Sequence, residues 1–185
     1  MVTLKDVERV FISQQNTTGT FATSLPVGGT VPLASIAVPV GRDRDAFLVR
    51  ATINWNATFT PLLSLLTLTG LGFAQVTFEL LRDGVVIGRV TDTINQPDGS
   101  IGAVVATTTV GFDTTTVEVL DTSSITGAVA SGAIAIFELR ATNIVAVGPV
   151  NVLGTVTVPL ATVTLAAALT TLVIEEIEAC RAQSI

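Results

Sequence analysis

The sequence has no histidine and no tyrosine, and only one cysteine and one tryptophan, among 185 residues. Without histidine the chain lacks the commonest general base, the Ser-His and Cys-His dyads, and the usual nitrogen ligand of zinc. Its Gly28-Gly29 and Gly70-Leu71-Gly72 segments lack the spacing and the lysine of a phosphate-binding loop. We therefore expect no catalytic residues, no metal and no cofactor, and no small-molecule ligand.

Charged residues are also scarce. They make up 13% of the chain, against ~25% in ordinary soluble domains, while hydrophobic residues reach 49%. Such a surface is expected to be covered in part by partner subunits or by a membrane. The uncharged stretches 51–78 and 141–174 are interrupted by Thr, Asn, Pro and Gly, which does not suit a membrane-spanning helix. The sequence therefore favours partner subunits and no membrane insertion.

The formal net charge is −6, and there is no cluster of Lys and Arg, so no nucleic-acid partner is expected. Residues 1–9 are mixed in charge and have no apolar core, so we expect no secretory signal peptide. The single cysteine, Cys180, has no partner for an internal disulfide. It is either a plain thiol near a terminus or a thiol that bonds to a neighbouring subunit.

The clearest signal is an alternation of apolar and polar residues between Phe47 and Phe59. Every odd position in this stretch is apolar, whereas the even positions from Arg50 to Thr58 are polar. Successive side chains of a strand point to opposite faces, so the pattern predicts a long strand with one face in the core. Trp55 falls on the apolar face, which predicts a core residue and not a sugar-binding aromatic.

A tight hairpin is predicted at Asp83-Gly84, because Asp-Gly suits the left-handed dihedral angles of a type I′ turn between the strands 75–82 and 85–90. A second turn is predicted at 96–99, where Pro and Gly favour a reversal. Thr and Val favour strands. On that basis further strands are predicted at 33–40, 103–112, 115–120, 133–147, 150–158 and 162–178.

The first 30 residues differ in character from the rest, and they predict an N-terminal arm and linker (1–30) before the sandwich domain (31–185). The polar run 14–20 has linker composition. An arm of this kind pairs with the sheet edge of a neighbour, or alternatively folds as a short helix or strand onto its own domain. Its candidate self-association residues are Val7, Val10, Phe11 and Ile12.

A second candidate contact is the leucine-rich segment between Pro61 and Gly72. These leucines need cover, which is supplied either by another subunit or by the end of the chain's own core. The residues proposed for the subunit contact are Leu62, Leu63, Leu65 and Leu66.

Three acidic residues, Glu175, Glu176 and Glu178, lie close together near the end of the chain. Glu175 and Glu176 point to opposite faces of a strand and do not converge, whereas Glu176 and Glu178 share a face and could bind a cation weakly. A solvated end of the last strand is the expectation for these residues.

Two stretches together resemble a known family. The strand 47–63 is followed at 76–88 by a strand, an Asp-Gly turn and a return strand, and 155–177 is a long closing stretch rich in Val and Thr. This succession resembles the tumour-necrosis-factor-like jelly-roll proteins of bacterial spore surfaces: the C-terminal domains of exosporium glycoproteins and the subunits of endospore appendages. The resemblance covers residues 45–178.

The resemblance implies a jelly-roll β-sandwich of about eight antiparallel strands whose copies associate with one another, made in the sporulating mother cell. The chain departs from the family in having no collagen region, no cysteine in its arm, and Cys180 near the opposite end. The symmetry of the assembly, whether trimer, fibre or lattice, stays open.

These features predict a non-enzymatic structural subunit that self-assembles through apolar faces at a bacterial spore or cell surface. Two alternatives stay open. One is a jelly-roll module that binds carbohydrate or a receptor. The other is a viral capsid jelly roll, although many of those carry a basic arm, and here Lys5 and Arg9 are balanced by Asp6 and Glu8.

Overall fold

The computed structural model describes residues 3–15, 23–41, 46–61, 72–97, 108–122, 132–153, 156–159 and 161–180, and it contains no helix in these ranges. The strands are β1 (Thr3–Gln15), β2 (Thr23–Ser24), β3 (Val31–Pro39), β4 (Ala46–Pro61), β5 (Phe73–Arg82), β6 (Val85–Asn95), β7 (Thr109–Asp121), β8 (Ile134–Val147), β9 (Val150–Leu153), β10 (Val156–Pro159) and β11 (Ala161–Cys180).

Eight long strands form two antiparallel sheets, which confirms the prediction of an all-β sandwich. The first sheet has the order β1-β11-β4-β7, and the short β2 also pairs with β11. The second sheet has the order β3-β8-β5-β6. Strands β9 and β10 pair only with each other within the described residues. The side chains between the two sheets form one hydrophobic core.

The strand pairs are nested along the chain. Within the two sheets, β5 pairs with β6, β4 with β7, β3 with β8, and β1 with β11. The chain therefore behaves as one long antiparallel hairpin, centred on the β5–β6 turn, that is wrapped into two layers. The first strand lies beside the last.

Strand β4 has the predicted alternation. The odd positions from Phe47 to Phe59 are fully buried, and the even positions from Leu48 to Thr58 are half-buried. Thirteen consecutive residues of β4 pair with β7 without a register shift. Trp55 lies in the core as expected, and its ring meets Phe78 edge-on with the centroids 5.9 Å apart.

The predicted Asp83-Gly84 hairpin is confirmed. Both residues have positive φ, 50° for Asp83 and 80° for Gly84, as a type I′ turn requires. The Asp83 side chain also accepts a hydrogen bond from the N–H of Ile136 at 2.8 Å, which ties the turn to β8.

Three predicted strands differ from those observed. The predictions 103–112 and 115–120 merge into the single strand β7 over the described part of that region, because Asp113 and Thr114 continue the pairing with β4. The stretch 150–158 is two paired strands and not one. The closing stretch is a strand throughout, β11, as predicted. Residues 98 and 99 of the second predicted turn lie outside the described residues.

The sandwich is tightly packed where β6 approaches β7. A Cβ atom at Gly88 would collide with the side chain of Val119, and one at Gly111 with Ile94. Glycine at these two positions lets the edge strands of the two sheets come close, which closes that side of the core.

Candidate self-association surface

The outer face of the β1-β11-β4-β7 sheet carries a group of apolar side chains at one end of the sandwich. Four of them, on β1 and β7, are between 44% and 62% exposed, and three on the central strands are half-buried. We call this group the front patch: Val7, Val10, Ile12, Leu48, Leu120, Val173 and Ile177.

The strand register places members of the front patch beside one another in three direct apolar pairs: Ile12 with Val173, Val7 with Ile177, and Leu48 with Leu120. Directly opposed side chains in a sheet lie close enough to touch. The carboxylate of Glu175 lies between Val10 and Leu48 in their row and interrupts the patch there. Its members lie on β1 and on three strands of the sandwich domain. The sequence of the arm therefore predicts only the part of the front patch that lies on β1.

Three charged residues lie within or beside the front patch. Arg50 on β4 donates to Glu118 on β7 with Nε–Oε2 at 2.6 Å, and Glu175 is the third. The hydrogen bond with Glu118, with a smaller contribution from Glu175, raises the pKa of Arg50 above its usual value. Arg50 therefore lies near two glutamates on this face.

A second apolar group lies on the outer face of the other sheet. Its members on β6 and β8 are between 41% and 64% exposed, and two exposed residues of β3 adjoin them through the register. We call this group the back patch: Ala37, Pro39, Val86, Ile134 and Ile136. Two acidic residues adjoin the back patch: Glu138 lies in the row of Val86, and Asp83 accepts a hydrogen bond from the N–H of Ile136. Arg140, Glu79 and Arg89 lie further along this face.

Both patches lie at the same end of the sandwich, on opposite faces. The link between them is Arg82 of β5, which is 4% exposed and forms an ion pair with Asp121 of β7. Its guanidinium also lies 5.4 Å from the ring of Phe47 and 5.6 Å from that of Phe137. These contacts join the two sheets directly beneath both patches.

The predicted contact residues fall into three groups. Val7, Val10 and Ile12 are exposed on the outer face, within the front patch. Phe11 lies on the opposite side of β1, where it packs half-buried against the core. The residues Leu62, Leu63, Leu65 and Leu66 lie outside the described residues. Cys180 is the last residue of β11, in register with Thr3, and its bond to a neighbour stays a prediction.

The predicted arm is paired within its own chain. Strand β1 lies along β11 and belongs to the same sheet as β4. This is the second of the two expected arrangements, in which the segment folds onto its own domain. The domain boundary at residue 30 stays a prediction.

The expectation of a solvated acidic end was wrong for Glu176. This side chain is fully buried and forms an ion pair with Arg9, while its Oε1 accepts a hydrogen bond from the N–H of Gly41 at 2.9 Å. The partner lies 167 residues earlier in the chain, so the spacing of nearby acids gave no sign of it.

A second acidic side chain, that of Asp92, also forms hydrogen bonds within the fold. The indole N–H of Trp55 donates to Thr115 Oγ1 at 3.0 Å, and the Thr115 hydroxyl in turn donates to Asp92. Asp92 also accepts from the N–H of Thr93 at 2.8 Å. This chain of hydrogen bonds holds β4, β6 and β7 together.

Over the ranges that the structure describes, no group of three His, Cys, Asp or Glu side chains is placed to hold a metal ion. Nor does any helix there have the length and apolar character to cross a membrane. No protein-family model matches the chain, and no curated protein matches it in sequence.

Proposed function

We propose that this chain is a non-enzymatic structural subunit whose copies assemble through the apolar outer faces of the sandwich. The observation that carries the proposal is the front patch, a group of exposed and half-buried apolar side chains on four strands of a chain with only 13% charged residues. A soluble monomer rarely exposes a contiguous apolar patch of more than a few hundred Å². Covering such a patch stabilises an assembly by roughly 25 cal/mol per Å².

The absence of histidine from the sequence, the hydrogen bonds of the half-buried Asp92 and the buried ion pair of Glu176 favour a structural role over a catalytic one. We further propose a jelly roll, which the nested strand pairs support. A place in a bacterial spore or cell surface layer rests on the resemblance of residues 45–178 to the spore-surface jelly rolls.

The test is the oligomeric state of the whole chain by analytical ultracentrifugation at micromolar concentration, with negative-stain imaging of the same sample. We expect trimers or larger particles. Because apolar contacts are strengthened by sulfate and are little affected by screening, the assembly should persist in high salt. A monodisperse monomer across the concentration range would refute the proposal.

A further inference from the structure

The outer face of the β1-β11-β4-β7 sheet carries an exposed aromatic ring at the end away from the front patch. Phe112 of β7 is 65% exposed, the largest exposed fraction of any aromatic side chain among the described residues. Trp55 and four of the phenylalanines are instead buried in the core. The ring of Phe112 is therefore placed where a ligand can contact it.

Polar side chains without charge lie beside this ring. Asn56 of β4 is directly opposite Phe112, and the neighbouring pair on the same face is Asn54 with Thr114. The Thr114 hydroxyl donates to Asn54 Oδ1 at 2.8 Å. In the described part of the chain, no other hydrogen bond engages the amide of Asn54, and none engages that of Asn56. Both carboxamides, which lie about 6.8 Å apart along one strand, can therefore bond to a ligand.

The row that contains Phe112 runs across the whole width of the sheet at this end. It begins at the exposed Ser24 of β2 and passes through Ala166 of β11 and Asn56 of β4. We call this row the Phe112 track. The adjoining row contains Thr164, whose side chain is larger than that of Ala166, so the surface is low in the middle of the track. An extended ligand can therefore lie across the strands and end on the ring.

We infer that the Phe112 track binds an uncharged glycan. One pyranose ring stacks on Phe112, and hydroxyl groups of the glycan bond to the carboxamides of Asn54 and Asn56. A pyranose presents C–H groups on its faces and hydroxyl groups around its rim, so it matches an aromatic ring with amides beside it. This inference goes beyond the proposed function and does not depend on it.

The lack of charge on this part of the face selects a neutral ligand. The outward-facing residues of 52–60 on β4 and 110–116 on β7 include none that is charged. The next row carries Arg50 and Glu118, which form an ion pair with each other. An acidic polymer is recognised by cationic side chains that bond to its anionic groups, and the Phe112 track presents none.

A printed array of neutral and acidic oligosaccharides, probed with the whole chain, tests the inference. We expect binding to neutral glycans and not to acidic ones. Titration calorimetry with the neutral glycan that binds best then compares variants in solution. Phe112→Ala should weaken binding about tenfold and Asn56→Ala about fivefold, whereas Phe112→Trp should retain binding.

Two controls separate stacking from simple apolar contact. Phe112→Leu keeps an apolar side chain without the ring, and it should bind as weakly as Phe112→Ala. Leu120→Ala changes an exposed apolar residue on the same face of the same strand, outside the track, and should bind like the wild type. None of these side chains is fully buried, so the fold should tolerate the changes, and circular dichroism melting checks this.

Three results would overturn the inference. The first is a wild type that binds no neutral glycan on the array, or that binds only acidic ones. The second is an unchanged affinity of Phe112→Ala. The third is full binding by Phe112→Leu, because it would show that the ring is not what the glycan contacts.

Discussion

Arg9, near the start of the chain, forms an ion pair with Glu176, near its end, and this contact fixes the first strand on the last. Glu176 is fully buried, whereas the Arg9 side chain is 39% exposed. Arg9 also donates to the carbonyl of Pro39 at 3.0 Å, so the same guanidinium contacts the other sheet. The pair supports the edge on which part of the front patch is built.

Replacing Arg9 by Ala should therefore destabilise the chain. The change removes the Arg9 ion pair from the buried carboxylate of Glu176, which keeps its hydrogen bond from the Gly41 N–H. Breaking a fully buried pair costs about 3–5 kcal/mol, and the partial exposure of Arg9 lowers our expectation to about 2 kcal/mol. Urea denaturation followed by tryptophan fluorescence measures the change.

The control for that experiment is Arg50→Ala, which removes an arginine from an exposed ion pair on the same sheet. We expect a loss below about 1 kcal/mol, since exposed pairs contribute little. Equal losses for the two variants would show that burial of Glu176 does not matter for stability.

Thr115→Val should cost about 2 kcal/mol, because it removes the hydroxyl that joins Trp55 to Asp92 and leaves buried polar groups without that partner. Thr116→Val, one residue along the same strand, changes an exposed side chain and should stay within about 0.5 kcal/mol. Thermal unfolding of the two variants makes the comparison. If Thr116→Val were the more destabilising change, Thr115 would not be the residue of this pair that faces the core.

Gly88→Ala tests the close approach of β6 and β7. Alanine in a strand is normally favoured over glycine, but here its Cβ meets Val119, so we expect a loss of about 1–3 kcal/mol. Val119→Ala makes room for the new methyl group. The double variant should therefore be more stable than the sum of the single losses predicts, by about 1 kcal/mol in a double-mutant cycle. Additive losses would contradict the contact.

Local pattern was sufficient to predict much of the fold. The alternation from Phe47 to Phe59 reports one buried face directly, and Asp83-Gly84 specifies its turn through backbone dihedral angles alone. Strand β7 was predicted as two strands because Asp113 and Thr114 interrupt its apolar run. Thr114 lies on the outer face, where it donates to Asn54 at 2.8 Å, whereas Asp113 lies on the opposite side of the strand, in register with Trp55.

The surface was harder to predict, because it depends on which strands become neighbours. Val10 and Ile12 were identified from their own segment, but Leu48 and Leu120 belong to the front patch only through the pairing of β4 with β7. Similarly, the alternation around Ile134 and Ile136 indicates two faces without saying which one meets solvent. The buried Glu176 needed a partner from the far end of the chain.

The nested pairing has a consequence for how the protein is made. The turn between β5 and β6 joins neighbours in sequence and can form early, whereas Thr3 is matched with Cys180. Contacts of such large sequence separation form slowly. Strand β1 is synthesised first, but it has no place in the sheet until residue 180 has left the ribosome. Its exposed valines must stay out of other contacts during translation, so these residues face their greatest risk of aggregation before folding is complete.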